Sequence, residues 1–314
     1  MTIPSFLHPF SVPSKPADQF VSIVRGSGAR VWDSQGNEYI DAMASLWYAN
    51  IGYGRSEMAD VLSSAARELG TYQTFTTWTN PAADALADRI ADLTDHERPR
   101  VFFASSGSEG VESAMKIARV AQAQAGHPER TVVISRERGS HGVAYGGTSL
   151  SGLPANQEGF GPFVENVINV DPDDLGKMEA VLEERRGEVA AIITEPVQGV
   201  GGVRPPESGY LEGLRSLCDR HGAFLIFDEV KTSRLGRSGP TCSSSPEHRT
   251  RRTSPSSPRP GPTVSSTRTK SAALEWLLSP SVRTSRNATP IGLVVASEYG
   301  VVRHTAKVAE VLSL

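Results

Sequence analysis

The stretch GAFLIFDEVKT, residues 222–232, is a short apolar run that ends in two carboxylates. The residues from Phe224 to Phe227 have the composition and length of a buried strand, and Asp228 stands at its end. A buried carboxylate is costly unless it meets a partner, because its charge loses water. Asp228 therefore either meets a cation or lies on a rim without a role, and the rest of the sequence has to distinguish the two.

Three other short apolar runs precede this one: RVFFA (100–104), TVVIS (131–135) and VAAIIT (189–194). Runs that are apolar on both faces are typical of parallel strands covered on each side by helices. Helical periodicity lies between them, in SEGVESAMKIARVAQAQAG (108–126) and GYLEGLRSLCDRHG (209–222). This alternation predicts an α/β domain with a mainly parallel sheet and helices on both faces.

Two further helices are predicted before the first strand. RSEMADVLSSAARELG (55–70) repeats apolar residues at helical spacing, with Ser56 as the expected N-cap and Gly70 as the stop. NPAADALADRIADL (80–93) opens with Asn80-Pro81, a cap followed by a first-turn proline.

Composition excludes several classes of protein. The 314 residues carry a net charge of −3, which gives no overall attraction to nucleic acid or to an anionic membrane. The two cysteines, Cys218 and Cys242, make a disulfide framework or a thiolate metal site unexpected. No apolar run approaches the ~18 residues of a membrane span, and the first residues lack the pattern of a secretory signal. We expect a cytoplasmic protein without a bound metal.

The sequence changes character after about residue 240. Ser, Thr, Pro and Arg supply 34 of the 50 residues from 241 to 290, a composition that cannot bury enough apolar area to fold. One interpretation is a basic tail that binds nucleic acid, but interleaved aromatic residues are missing. The other interpretation is out-of-frame translation of a GC-rich gene, which sequencing of the coding region would test.

Four polar clusters follow the predicted strands. Ser105 to Ser108 form a small-residue turn before a helix, where free N–H groups and the helix dipole favour an anion such as a phosphate. The other three clusters are Ser140–His141, Glu195 with the glycines at 199, 201 and 202, and Asp228. Each alone could be an ordinary cap, loop or surface residue. Because ligands of open α/β sheets bind at the carboxyl ends of strands, the combination indicates a phosphate-bearing cofactor whose ring nitrogen meets Asp228.

These motifs resemble a known family. SSGSEGVESAMKIAR, SHGVAYGGTSLSG, ITEPVQGVGGV and LIFDEV, in this order and spacing, are similar to the class III aminotransferases, which are fold-type I enzymes dependent on pyridoxal 5'-phosphate (PLP). DAMASLWYANIGYGRSEM (41–58) resembles the ω-amino-acid:pyruvate branch, and the resemblance covers residues 20–240. It implies transfer of an amino group from an amine or ω-amino acid to a keto acid such as pyruvate, in a homodimer.

The resemblance also implies roles for individual residues. Gly107 and Ser108 would hold the cofactor phosphate, and Asp228 would pair with the pyridine nitrogen. Val230 would pack on one ring face, with Glu195 in the polar shell near the ring hydroxyl. The remaining residues assigned by position are Ser140 and His141 beside the cofactor, and Trp47 in the substrate pocket, for which a buried core position is the alternative.

The chain departs from the family pattern at three places. Ser140 occupies a position where the family carries an aromatic residue that stacks on the ring, and Ser233 and Leu235 break the pattern that follows Asp228. The family's Schiff-base lysine is expected about thirty residues beyond the aspartate, yet residues 250–262 contain no lysine. No catalytic lysine is therefore assigned, since Lys116, Lys231 and Lys270 are poorly placed.

The departures leave two alternatives to transamination open. One is a catalytically inactive homologue that binds PLP or another phosphate ligand, and the other is different PLP chemistry, such as a mutase or decarboxylase. The expected organisation is an N-terminal segment of the small domain (1–50), a PLP-binding large domain (51–239), an atypical and disordered stretch (240–290) and a short C-terminal segment (291–314). This leaves the small domain incomplete and makes a stable dimer doubtful.

Overall fold

The structure, a computed structural model, describes residues 4–94 and 99–232, and the backbone of 292–297 and 300–305. It divides into two compact units, Met1–Tyr72 and Gln73–Leu314. The predicted boundary near residue 50 stays a prediction, and the predicted stretch 240–290 lies outside the described residues.

The first unit holds a three-stranded antiparallel sheet in the order β1-β2-β3. Its elements are β1 (Ile23–Ser27), β2 (Arg30–Asp33), β3 (Glu38–Ile40), the short turn α1 (Ala44–Trp47) and α2 (Ser56–Glu68). The expected N-cap of α2 is wrong: Ser56 is already helical, and extended Arg55 precedes the helix without a side-chain cap. The apolar residues of α2 at positions 58, 61 and 62 are exposed, as is Leu69 just after the helix.

The second unit alternates helices and strands as the sequence predicts. Its helices are α3 (Pro81–Asp92), α4 (Gly107–Gln124), α5 (Tyr145–Leu150), α6 (Leu175–Glu184) and α7 (Tyr210–His221). Its strands are β4 (Arg100–Phe103), β5 (Val132–Arg136), β6 (Val167–Val170), β7 (Val189–Thr194), β8 (Phe224–Asp228), β9 (Gly292–Ser297) and β10 (Gly300–Thr305). The Asn80 cap of α3 is confirmed, since its side chain accepts from Ala82 N and Ala83 N.

The strands form one sheet in the order β4-β9-β10-β8-β7-β5-β6. Neighbours pair in parallel except β10, which is antiparallel to β8 and to β9. The predicted mainly parallel sheet is therefore confirmed. Burial on both faces holds for β5, β7 and β8 but is wrong for β4, whose Phe102 and Phe103 are exposed.

Two apolar clusters cover the two faces of this sheet. α4 and α5 pack on the face of Val133, Ile193 and Ile226. α6 and α7 pack on the opposite face, with Ile134 and Leu225. Alternate strand residues point to opposite faces, so each buried strand contributes to both clusters. The helices on both faces that the sequence predicts are therefore present.

The register of the central strands determines where the polar residues meet. Thr194 pairs with Phe227 across β7 and β8, so Glu195 and Asp228 reach the same edge of the sheet. Parallel strands share their carboxyl edge, and the residues that follow β4 and β5 reach the same edge. No helix among the described residues has the length and apolar character needed to cross a membrane.

Cys218 of α7 is expected to resist alkylation in the native chain. Its thiol is fully buried, its Sγ donates to Phe224 O, and burial raises its pKa from 9.0 to about 12. A pKa that is higher by three units leaves about a thousandfold less thiolate at a given pH, and the thiolate is the reactive form. Iodoacetamide treatment followed by peptide mass spectrometry should find Cys218 labelled only after unfolding in urea. Equal labelling rates in the native and unfolded chain would contradict the buried position.

Candidate active site

The start of α4 presents its backbone to the sheet edge. Ser106 is the N-cap, and its hydroxyl accepts from Glu109 N at 3.2 Å. Glu109 accepts from Ser105 N at 2.8 Å and from the Ser105 hydroxyl, and the bond from the hydroxyl is the main reason that the pKa of Glu109 is lowered. The first N–H groups of a helix lack intrahelical acceptors. The turn at Gly107 and Ser108 can therefore receive an anion.

The loop that follows β5 packs directly on this turn. Ser108 Oγ accepts from Val143 N at 3.0 Å. Gly142 has a φ of +100°, and a Cβ atom there would lie 2.9 Å from Ser108 Cα. Glycine is therefore required at this position both by its backbone conformation and by the close approach of two backbones.

Asp228 meets a histidine from the same loop. His141 Nδ1 lies 2.8 Å from Asp228 Oδ2, and the two side chains are 1 % and 5 % exposed. An ionised carboxylate can only accept hydrogen bonds, so His141 Nδ1 is the donor when Asp228 is ionised. The other ring nitrogen, Nε2, is buried and has no hydrogen-bond partner in the part of the chain that the structure describes. His141 is thus the partner that the position of Asp228 requires.

Val230 joins the segment after β8 to the start of α4. A Cβ atom at Gly107 would lie 2.9 Å from Val230 Cγ2, so the missing side chain leaves room for this contact. Val230 N also donates to Asp228 Oδ1 at 3.2 Å. The contacts therefore form a closed ring through Gly107, Ser108, the loop at His141, Asp228 and Val230.

Glu195 connects three segments at the same edge. Its Oε1 accepts from Ser140 N at 2.9 Å, and its Oε2 accepts from Gly199 N at 3.1 Å and from Lys231 Nζ at 3.0 Å. The Glu195 side chain is only 3 % exposed. The carboxylate therefore fixes the loop after β5, the glycine-rich loop after β7 and the segment after β8 relative to one another.

Sequence reasoning missed Arg136, the last residue of β5. Its side chain is 1 % exposed and donates to Pro172 O, Thr194 Oγ1 and Glu195 O, with an ion pair to Asp173. The signal was an arginine at the end of an otherwise apolar strand, since a buried guanidinium needs several fixed acceptors. Its bonds hold the ends of β5 and β7 together beneath the site.

The structure thus brings together seven residues singled out from the sequence: Gly107, Ser108, Ser140, His141, Glu195, Asp228 and Val230. Trp47 belongs to the first unit, where it is 36 % exposed, so a core position is not supported. Lys116 is exposed on α4, as expected. Lys270, Ser233 and Leu235 lie outside the described residues. Within the described part of the chain, no group of three or more metal-ligating side chains is placed to hold a metal ion.

Solved structures define the class of protein. An amine transaminase from an uncultivated Pseudomonas species, solved in a PLP-bound form, superposes with a TM-score of 0.74 at 28 % identity and covers 98 % of this chain and 67 % of its own. A transaminase from the marine bacterium Virgibacillus gives a TM-score of 0.75 at 27 % identity, and the match covers 98 % of this chain and 64 % of that transaminase. The fold is that of the fold-type I PLP-dependent transaminases, as the resemblance predicts.

The family follows from the sequence itself. Residues 12–245 match the family model of the class-III aminotransferases, and the chain belongs to this PLP-dependent family. An acetylornithine/succinyldiaminopimelate aminotransferase of Photorhabdus laumondii is 38 % identical over 221 residues, 70 % of this chain and 53 % of that protein. A succinylornithine transaminase/acetylornithine aminotransferase of Pseudomonas aeruginosa is 35 % identical over 230 residues, which are 73 % of this chain and 54 % of that protein. The chain spans about half the length of these curated relatives.

Proposed function

We propose that the closed ring of contacts at the sheet edge binds PLP. Three observations on the chain fit this cofactor. The start of α4 offers backbone N–H groups to a phosphate, and Gly107 lets Val230 pack against this helix start. Asp228 provides a carboxylate for the pyridine nitrogen of PLP. Val230, which contacts Gly107 and bonds to Asp228, provides an apolar surface between the helix start and this carboxylate. The convergence of the helix start and Asp228 is the observation that carries the proposal.

Asp228 has a specific electrostatic task in this site. PLP, when bound, supplies an electron sink to the substrate carbon, and this requires a protonated ring nitrogen. A carboxylate about 4 Å from a positive charge contributes up to roughly 4 kcal/mol at an effective dielectric constant near 20, which is about three pKa units. His141 donates to the other side of the same carboxylate and holds it in place. We assign Asp228 to stabilising that proton and His141 to orienting Asp228.

The proposed reaction is transfer of an amino group from an amine or ω-amino acid to a keto acid such as pyruvate. Support comes from the names of the similar proteins, which include an amine transaminase and aminotransferases acting on acetylornithine. Trp47 is proposed to line the substrate pocket. The homodimer and the cytoplasmic location stay predictions, as do the mutase and decarboxylase alternatives.

The positions of the lysines favour a second candidate, PLP binding without turnover. Lys116 is exposed, and Lys231 is occupied by its ion pair with Glu195. Residues 250–262, where the resemblance places the reactive lysine, contain none. In this case the chain keeps the cofactor site and lacks the amine that would attach the cofactor and move the proton.

The purified chain is expected to bind PLP saturably and to prefer it to pyridoxal, which lacks the phosphate. Spectroscopic titration with both compounds measures this preference, and equal affinity would contradict the phosphate site at α4. Incubation with an amine and pyruvate, followed by assay of L-alanine, separates the two candidates. Borohydride reduction and peptide mass spectrometry then show whether any lysine carries the cofactor. Absence of PLP binding would refute both candidates.

A further inference from the structure

Lys231 is the cation that faces Glu195. Its Nζ lies 3.0 Å from Glu195 Oε2, and the side chains are 14 % and 3 % exposed. No other ion pair of Glu195 is present within residues 4–94 and 99–232. A carboxylate buried to this degree is strongly destabilised when its charged partner is removed. This pair therefore differs from the exposed ion pairs on the helices, which contribute little.

The path of the lysine side chain is defined by a glycine. A Cβ atom at Gly199 would lie 2.8 Å from both Cε and Nζ of Lys231. Gly199 also donates its own N–H to Glu195 Oε2 at 3.1 Å. The glycine-rich loop thus provides both the space for the lysine stem and a second donor for the carboxylate that the lysine meets.

The pair connects back to Asp228 by a second route. Glu195 Oε1 accepts from Ser140 N at 2.9 Å, and the next residue, His141, contacts Asp228 at 2.8 Å. Lys231 follows Asp228 by three residues along the chain. The sequence Asp228, His141, Ser140, Glu195, Lys231 is therefore a closed circuit of covalent and polar links around the edge of the sheet.

We propose that Lys231 and Glu195 form a positioning pair that sets the orientation of His141 against Asp228. The ammonium group keeps the carboxylate in place, and the carboxylate holds the backbone of Ser140, which fixes the adjoining imidazole. The consequence for PLP rests on the proposed function, whereas the effect on His141 does not require the cofactor. Lys231 is a counter-charge in this arrangement and not a nucleophile.

The test uses three variants of the full chain, Lys231→Met, Glu195→Gln and the double variant. Each single variant is expected to weaken PLP binding about tenfold, because one buried group loses its charged partner. The double variant leaves no unpaired charge, so it should be less impaired than the sum of the two single effects. Its thermal midpoint should lie above that of Lys231→Met, which keeps the test informative if that single variant folds poorly. Lys177→Met is the matched control, since Lys177 pairs with Asp171 at 2.9 Å but is 61 % exposed.

A readout on His141 separates positioning from mere structural support. The chain is labelled with ¹⁵N-histidine and measured by NMR without PLP. The chemical shifts of the His141 ring nitrogens should change in Lys231→Met and stay unchanged in Lys177→Met. Unchanged His141 signals together with wild-type PLP affinity in Lys231→Met would overturn the proposal. Attachment of a pyridoxyl group to Lys231 after borohydride reduction would also overturn it. Failure of the wild-type chain to bind PLP would refute the proposed function and leave the ¹⁵N test valid.

Discussion

Asp228→Asn is expected to weaken PLP binding by about a hundredfold to a thousandfold. Asparagine keeps the shape of the side chain and can still accept from His141, but it removes the negative charge that faces the ring nitrogen. The charge contributes up to roughly 4 kcal/mol at an effective dielectric constant near 20, and every 1.4 kcal/mol is about tenfold in affinity. Titration of the variant with PLP, followed by fluorescence or absorption, measures the loss.

Asp219→Asn is the matched control for this substitution. Asp219 lies on α7 and pairs with Arg215 at 2.7 Å, but its side chain is 62 % exposed. The same chemical change there should alter PLP affinity by less than about twofold, because exposed ion pairs are screened by water. Wild-type affinity in Asp228→Asn, or an equal loss in both variants, would show that Asp228 does not meet the cofactor ring.

Gly142→Ala is expected to lower the free energy of unfolding by about 2–4 kcal/mol and to impair PLP binding as well. The new methyl group would lie 2.9 Å from Ser108 Cα, a backbone atom that cannot move without displacing the start of α4. The positive φ of +100° adds strain of its own. Urea unfolding followed by circular dichroism gives the stability change, and PLP titration gives the effect on the site.

Gly126→Ala is the control that separates the cost of backbone strain from the cost of a steric clash. Gly126 has a comparable φ of +92°, but nothing lies within 4 Å of the position that a Cβ atom would take. This variant should lose only about 1 kcal/mol, the cost of the backbone conformation alone, and should bind PLP normally. An equal loss of unfolding free energy in both variants would contradict the close approach of Gly142 to Ser108.

The sequence predicts the fold of the second unit well because its signals are local. The apolar runs of β7 and β8 and the cap of α3 depend on residues that are neighbours in the chain. One failed prediction depends on a distant feature: the exposure of β4 depends on what covers it. The N-cap prediction at Ser56 failed because the helix begins at Ser56 itself, one residue earlier than a cap at that position requires.

The site was predictable only in part. The rule that parallel strands share a carboxyl edge brings Ser108, Glu195 and Asp228 together from the sequence alone. The pairing of His141 with Asp228 and of Lys231 with Glu195 depends on side-chain directions across gaps of 87 and 36 residues. Periodicity carries no information on such directions. Arg136 was missed for the same reason, although its place at the end of an apolar strand was visible.

The buried guanidinium of Arg136 has a consequence for the kinetics of ligand capture. It fastens Pro172, Thr194 and Glu195 to one rigid group, so the rim beside the site is assembled before any ligand arrives. A preassembled rim spends little conformational entropy on association and requires no slow rearrangement before contact. Encounter by diffusion, rather than reshaping of the protein, should then govern the rate at which this edge of the sheet acquires a small anionic molecule.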